Sequence, residues 1–238
     1  MVFAGPSLSR ADARLHPGVE IRPPVASGDL FALRSEMPPV VGIVDGWFGD
    51  RRAVGHKEIL WLMARGVAVF GAASMGALRA AELDLYGMAG VGEVYRMVRD
   101  GRVSDDGDVA VAHGPEGVGF APLSLALVDV MATADALLAA GRLDAAGADR
   151  LIRAARGLHF TDRDWVGVAE AAALPGLDAQ TLSAQAVPRK RLDALALLET
   201  VAADPPRRRA ADPVHPPMTL ALRRDLARAG RRAVSPDP

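Results

Sequence analysis

In the first half of the chain the apolar positions come as short unbroken runs, separated by segments where they recur at helical intervals. "VFAG" reads as a short strand from which "GPSLS" turns away, "GVEIRPP" as a second strand stopped by its prolines, and "ASGDLFALRSE" as a helix. "PVVGIVDGWF" and "VAVFGA" are continuous apolar runs of strand length, and between them lies the helix "AVGHKEILWLMARG", closed by Gly66. "SMGALRAAELDLYG" is the next helix, and Gly92 to Asp100 one more. Strands without polar alternation are buried on both faces, and strands separated by helices build parallel sheets. The pattern therefore predicts an α/β fold, with a small Rossmann-like parallel sheet and flanking helices. "DVAVAH" alternates and is read as an additional strand.

From Ala121 the pattern becomes helical throughout. "PLSLALVDVMATADALLAAG", "LDAAGADRLIRAARGL", "TDRDWVGVAEAAAL", "LDAQTLSAQA" and "KRLDALALLETVAA" all have helical period, with Thr161 and Asp162 as starters and Gly141 and Gly157 as stops. A boundary between Gly117 and Pro122 divides the chain into an α/β core (1–118), an all-helical region (119–203) and a Pro/Arg-rich linker and tail (204–238). Within the tail, "MTLALRRDLARAG" has the period of a short amphipathic helix. The helical region carries no motif to which chemistry attaches.

Composition narrows the function classes. Half of the 238 residues are hydrophobic, which is enough for a real core and excludes wholesale disorder. A net charge of −1 provides no global attraction to nucleic acid or to a membrane surface. The absence of cysteine removes disulfides, thiolate catalysis, Cys-ligated zinc and any sulfur relay through the chain's own thiols. "MVFAGPSLSR" lacks a signal-peptide pattern and no apolar stretch has membrane-spanning length, so a cytoplasmic, soluble protein is expected. The histidines at 16, 56, 113, 159 and 215 are scattered without ligand spacing, and no metal is expected.

Ligands of parallel sheets bind at the carboxyl ends of the strands, which here are followed by "GPS", "DGWF" and "GAASMG". Ser7, Gly46 and Gly76 of these turns are candidate substrate contacts. In "GAASMG" the serine, Ser74, sits among small residues, as in a nucleophile elbow that exposes a hydroxyl at a sharp strand-to-helix turn. N–H groups at the start of the following helix suit an anion or oxyanion. The plainer reading of Ser74 is a helix N-cap, without the Glu or Gln at position 77 that would complete a capping box. Behind it Met75, Leu78, Ala81 and Leu85 form the expected buried stripe, while Arg79 and Glu82 share a neighbouring face, either as a surface ion pair or as an anion contact. In the preceding helix His56, Ile59, Leu60 and Met63 form one stripe, with His56 and Lys57 at its N-terminal end. A lysine in a first turn opposes the helix dipole, and a desolvated lysine there would serve as a base; the plainer reading is a solvated Lys57 and a packed His56. Asp45 ends the strand "VVGIV" and would orient a base or close a turn. The acidic "SDDGD" lacks calcium-loop spacing, and the glycines of "GMAGVGEV" match neither a dinucleotide nor a P-loop motif.

Taken in order, "FAGPSL", "PPVASGD", "IVDGWF", "HKEIL", "GAASMGALRAAEL", "YGMAGVGEVYR" and "DGRVSDDGDVAVAH" resemble the TfuA-like protein family over the first half of the chain, to about His113. The resemblance implies a partner of a YcaO-type enzyme in ribosomal-peptide modification and backbone thioamidation. It further implies release of sulfide from a thiocarboxylated carrier protein of the ThiS type, with ATP used by the YcaO partner and no cofactor on this chain. Such a hydrolysis needs a nucleophile or activated water, a base and an oxyanion site. Ser74, then Lys57 or His56 with Asp45, and the backbone after Ser74 are the candidates for these roles. Arg79, beside Glu82, is the candidate for holding the thiocarboxylate. Two other functions stay open: a non-catalytic activator that docks on YcaO, and a small anion- or nucleotide-binding α/β module.

Overall fold

A computed structural model of the chain describes residues 1–49, 51–203 and 214–232. Among them, five parallel strands form one sheet in the order β2-β1-β3-β4-β5. They are β1 (Val2–Phe3), β2 (Ile21–Arg22), β3 (Val40–Ile43), β4 (Ala68–Ala72) and β5 (Ala89–Val91). The intervening helices are α1 (Arg10–Ala13), α2 (Asp29–Ala32), α3 (His56–Met63) and α4 (Met75–Leu83). After the sheet come α5 (Gly92–Arg99), α6 (Asp106–Val109), α7 (Leu127–Ala139), α8 (Ala145–Arg156), α9 (Trp165–Ala172), α10 (Ala179–Ala184) and α11 (Arg189–Ala202), with α12 (Leu220–Arg232) beyond residue 214. The α/β architecture with later helices agrees with the hydrophobic pattern. The predicted linker at 204–213 and the end of the tail lie outside the described residues.

The unbroken apolar strands are buried on both faces because helices cover both. Phe3, Val41, Ile43 and Val69 face α2, α3, α4 and the buried Leu222 and Ala229 of α12. Val2, Val40, Ala68, Phe70 and Ala72 face Ala194, Leu197, Leu198 and Val201 of α11. Each fully buried Leu of this kind stabilises the fold by about 2 kcal/mol. The close seat of α11 depends on Gly42, where a Cβ would lie 2.5 Å from Leu197 Cδ2. A third cluster joins Ala77 and Leu78 of α4 and Val94 and Met97 of α5 to α7, α8, α9 and α10.

Several local expectations are corrected. "DVAVAH" is not a strand: α6 begins it, capped by the Asp105 carboxylate on Gly107 N–H, and His113 then makes an isolated antiparallel bridge to Pro122. The glycine run supplies the edge strand β5, too short and too glycine-rich to show as an apolar run. In α4, Leu85 is 93% exposed and Ala81 half-buried, while Met75, Ala77, Leu78, Ala80 and Leu83 are buried. The helix tightens into a 3₁₀ turn at Asp84–Tyr86, which breaks the period before Leu85. It is also wedged between two clusters, so more than one stripe is covered. In α3 the buried residues are Glu58, Ile59, Trp61 and Leu62; His56 and Lys57 are exposed.

Candidate active site

β1, β3 and β4 end side by side, and the loops that follow them are stitched together by Asp45. Its Oδ2 accepts the N–H groups of Gly5 (2.8 Å) and Ser7 (3.0 Å), and its Oδ1 accepts the Ser7 hydroxyl (2.7 Å). The carboxylate is buried. A negative charge is tolerated there because its hydrogen bonds are made locally, by the turn that the "GPS" sequence forms.

The small residues around Ser74 have a packing cause. Gly76 rides directly on β3, where a Cβ would lie 1.7 Å from the Ile43 carbonyl oxygen. A Cβ on Gly71 would lie 2.0 Å from the Gly76 oxygen, and one on Gly46 would meet Met75 Cγ at 2.7 Å. The start of α4 is thus pressed against β3 and β4, backbone on backbone. Ser74 N–H donates to Ala72 O at 2.7 Å, closing a three-residue turn about Ala73. The left-handed backbone position is Ala73, with φ of 65°, and Ser74 follows it with φ of −134° and ψ of −123°. The hydroxyl is therefore not presented at the apex as an elbow would present it. It is buried and donates to Val109 O at 3.4 Å, and it makes no cap bond to α4. Two N–H groups expected to cradle an anion are engaged, Gly76 with Val44 O and Ala77 with Ser74 O.

Asp45, Gly46 and Ser74 line one small pocket of about 50 Å³, together with Pro6, Phe48, Val111, His113 and Lys190. Lys190, in the first turn of α11, is the residue that sequence reasoning missed. Its ammonium is buried and donates to Val109 O at 2.7 Å, the same carbonyl that Ser74 addresses. Burial pushes its pKa below the ordinary lysine value, opposed by the charges of Asp45 and Asp129. Asp129 of α7 accepts the backbone N–H of Lys190 at 2.9 Å, and burial lifts its carboxyl to about 6. His113 Nδ1 lies 2.9 Å from Gly114 O, and its ring stands edge-on to Trp47 and Phe120. Phe120 also has a left-handed backbone, with φ of 56°. Pro6, Val111 and Lys190 border as well a groove of about 570 Å³ whose walls include Ser7, Val118, Pro122, Leu125 and Asp129.

The other predicted residues lie elsewhere. His56 Nε2 is 2.8 Å from Glu82 Oε2, and Arg79 pairs with the same carboxylate while its Nε donates to Val54 O. Lys57 is exposed rather than desolvated, with Nζ 3.5 Å from Thr219 Oγ1 at the approach to α12. The expected crevice shared by Ser74, Asp45, His56 and Lys57 is thus corrected: α3 meets α4 beside Arg79 and Glu82, beyond the first turn that carries the serine. The structure joins Asp45, Ser7, Gly46, Gly76 and Ser74, and separates them from His56, Lys57, Arg79 and Glu82.

A family model described as TfuA-like protein matches residues 45–164. The chain belongs to the TfuA-like family. The matched segment runs from Asp45 to Asp164, the N-cap of α9, and so extends well past the resemblance seen in the first half. It carries Asp45, Ser74, His113 and Asp129, whereas Ser7 and Lys190 of this TfuA-like chain lie outside it. No match is found among curated proteins. Among the described residues of this TfuA-like protein, no helix is long and apolar enough to cross a membrane.

Proposed function

We propose that this TfuA-like protein works beside a YcaO-type enzyme in backbone thioamidation and ribosomal-peptide biosynthesis. In this reading it releases sulfide by hydrolysing the acyl-sulfur bond of a thiocarboxylated, ThiS-type carrier protein. The overall change is R–COS⁻ + H₂O → R–COO⁻ + H₂S. The observation that carries the reading is a buried lysine and a serine hydroxyl in a pocket of about 50 Å³ that borders a groove of about 570 Å³. A groove of that size accepts an extended chain end, whereas the inner pocket accepts only a terminal group, and Lys190 supplies the charge that attracts an anionic one. The lack of cysteine favours release of free sulfide over a covalent persulfide relay. ATP is consumed by the partner, and the chain itself needs no cofactor for hydrolysis.

A second reading is favoured by the engaged N–H groups of Gly76 and Ala77, which leave less of an oxyanion cradle than the sequence suggested. In it the chain is a non-catalytic activator that docks on YcaO. Purified protein mixed with thiocarboxylated carrier separates the two. Sulfide formed at a rate above the carrier alone supports hydrolysis. No sulfide with YcaO either present or absent removes the hydrolase reading and leaves the activator.

A further inference from the structure

The C-terminal segment reverses the charge of the chain. Residues 204–238 hold eight of the 28 basic residues and four of the 29 acidic ones, so the rest of this slightly acidic protein is more acidic still. Within that segment α12 buries Leu222 and Ala229 in the core beside α2 and α3, and half-buries Leu226. Its apolar stripe is thus used by its own fold, and Arg223, Arg224 and Arg228 are exposed. Arg224 and Arg228 stand one helical turn apart, where like charges repel. Among the described residues none of these three arginines has an ion pair, while Asp225 is taken by Arg52 at 3.7 Å. Lys57 of α3 adds a further cation beside Thr219. The carboxylates of α2 and α3 are turned inward: Asp29 accepts the Ala26 N–H, and Glu58 those of Gly28 and Gly55. The loop after β3 joins this basic face to the pocket. Gly46 lines the pocket, and the ring of Trp47 stands edge-on to His113 on its wall. The Arg51 guanidinium lies 4.4 Å over the Trp47 ring, and Arg52 then reaches α12.

We propose that Arg51, Arg52, Lys57, Arg224 and Arg228 form a docking surface for the acidic face of a small partner protein. That partner is the carrier of the proposed function, and the inference rests on that reading for the carrier's identity. Guanidinium groups suit the task because they pair with carboxylates through two parallel N–H bonds. An acidic protein fits this face better than other anionic partners do. A membrane surface would need the apolar stripe of α12, which is buried. A nucleic acid extends past a patch of five cations, onto a body whose net charge repels it, and its bases would find the Trp47 face covered by Arg51. A compact acidic face covers the patch alone. Docked there, the carrier stands beside the rim formed by Gly46 and Trp47, so that its chain end has only a short way to the pocket. The basic face steers and orients the carrier, and takes no part in bond breaking.

The test uses the full chain and a ThiS-type carrier in its ordinary carboxylate form, so that binding is measured apart from hydrolysis. By surface plasmon resonance, the wild-type association rate should fall about tenfold or more between about 50 and about 300 mM salt. Arg224→Glu/Arg228→Glu should keep the wild-type circular dichroism and Tm, lose about tenfold or more in affinity, and show a flatter salt dependence. Arg224→Gln/Arg228→Gln, which removes charge without adding repulsion inside α12, should lose an intermediate amount. Arg14→Glu/Arg142→Glu makes the same charge change at exposed positions on other elements, and should bind within about twofold of wild type. No carrier binding at low salt, wild-type affinity in the folded Arg224→Glu/Arg228→Glu protein, or an equal loss in the control pair overturns the docking surface. A single-stranded oligonucleotide bound more tightly than the carrier, and released by the same variant, overturns it in favour of nucleic acid. Carrier binding that the variant loses, with no sulfide from thiocarboxylated carrier and wild type, keeps the docking surface and removes the sulfide reading. Sulfide release by the variant at the wild-type rate, at carrier concentrations well below saturation, does the reverse.

Discussion

Gly76→Ala tests whether the small residues around Ser74 are there to let α4 touch the sheet. The added Cβ would stand 1.7 Å from the Ile43 carbonyl oxygen and 2.6 Å from its carbon, where ordinary contact begins at 3.4 Å. The obstacle is backbone of β3, which is hydrogen-bonded to β1 and β4 and cannot swing aside as a side chain would. The helix must therefore withdraw by about half the contact distance, loosening Met75 and Ala80 from the core beneath α4. Overpacking of a rigid site costs about 3 kcal/mol, at the upper end of the usual range. Alanine in place of glycine within a helix returns at most about 1 kcal/mol. The net loss is about 2 kcal/mol or more, and at this chain length it lowers Tm by roughly 4–8 °C. Urea unfolding and a thermal scan measure it directly. The control is Gly18→Ala, whose Cβ would meet nothing within 4 Å and which should stay within about 0.5 kcal/mol of wild type. A midpoint unchanged or raised in Gly76→Ala would show that the glycine is not required by packing.

Asp45→Ala leaves the Gly5 and Ser7 N–H groups and the Ser7 hydroxyl buried without an acceptor, and should cost about 2–5 kcal/mol in urea unfolding. Asp45→Asn keeps one acceptor and should recover part of that, and wild-type stability in Asp45→Ala would contradict the account. Glu58 accepts N–H bonds from Gly28 and Gly55, and burial raises its carboxyl from 4.5 to about 7. With the folded pKa above the unfolded one, its contribution is whole below pH 4.5 and is lost as the pH rises to about 7. Glu58→Gln should therefore gain on wild type across that window by on the order of 3 kcal/mol, and parallel stability curves for the two proteins would refute this. Glu82→Ala breaks only a half-exposed surface pair; it should shift stability by less than about 1 kcal/mol and leave sulfide release intact.

The sheet was legible because β3 and β4 are apolar on every residue, a pattern that only a doubly covered parallel strand needs. β5 escaped because its strand is three residues set among glycines, held by pairing with β4 rather than by its own side chains. Asp45 and Ser74 were legible as neighbours because both follow strands that lie side by side. His56 and Lys57 were misplaced for a related reason: α3 begins well after its strand, so its first turn meets the flank of α4 instead of the strand ends. Lys190 was missed although a signal existed. The chain has 28 basic residues and only two are lysines, at 57 and 190. Both sit in the first turn of a helix, against its dipole. The same local rule is broken twice, and it is the second instance that is buried. No periodicity within α11 reveals that its N-terminus reaches back to Val109 and Asp129, because that contact is made by tertiary packing.

The caps around α11 set an order on how the pocket comes into being. Asp129 of α7 holds the N–H of Lys190, and Asp193 of α11 in turn holds the N–H of Val94 at the start of α5, at 2.7 Å. The sheet and the serine turn leave the ribosome first, while the amine beside them belongs to α11, far later in the chain. Until that helix docks, α5 lacks its cap, one face of the sheet is bare and Ser74 has no lysine. A nascent or truncated chain that ends at the family-matched segment therefore has Ser74 without Lys190, and the pocket that both line is closed only on a completed fold.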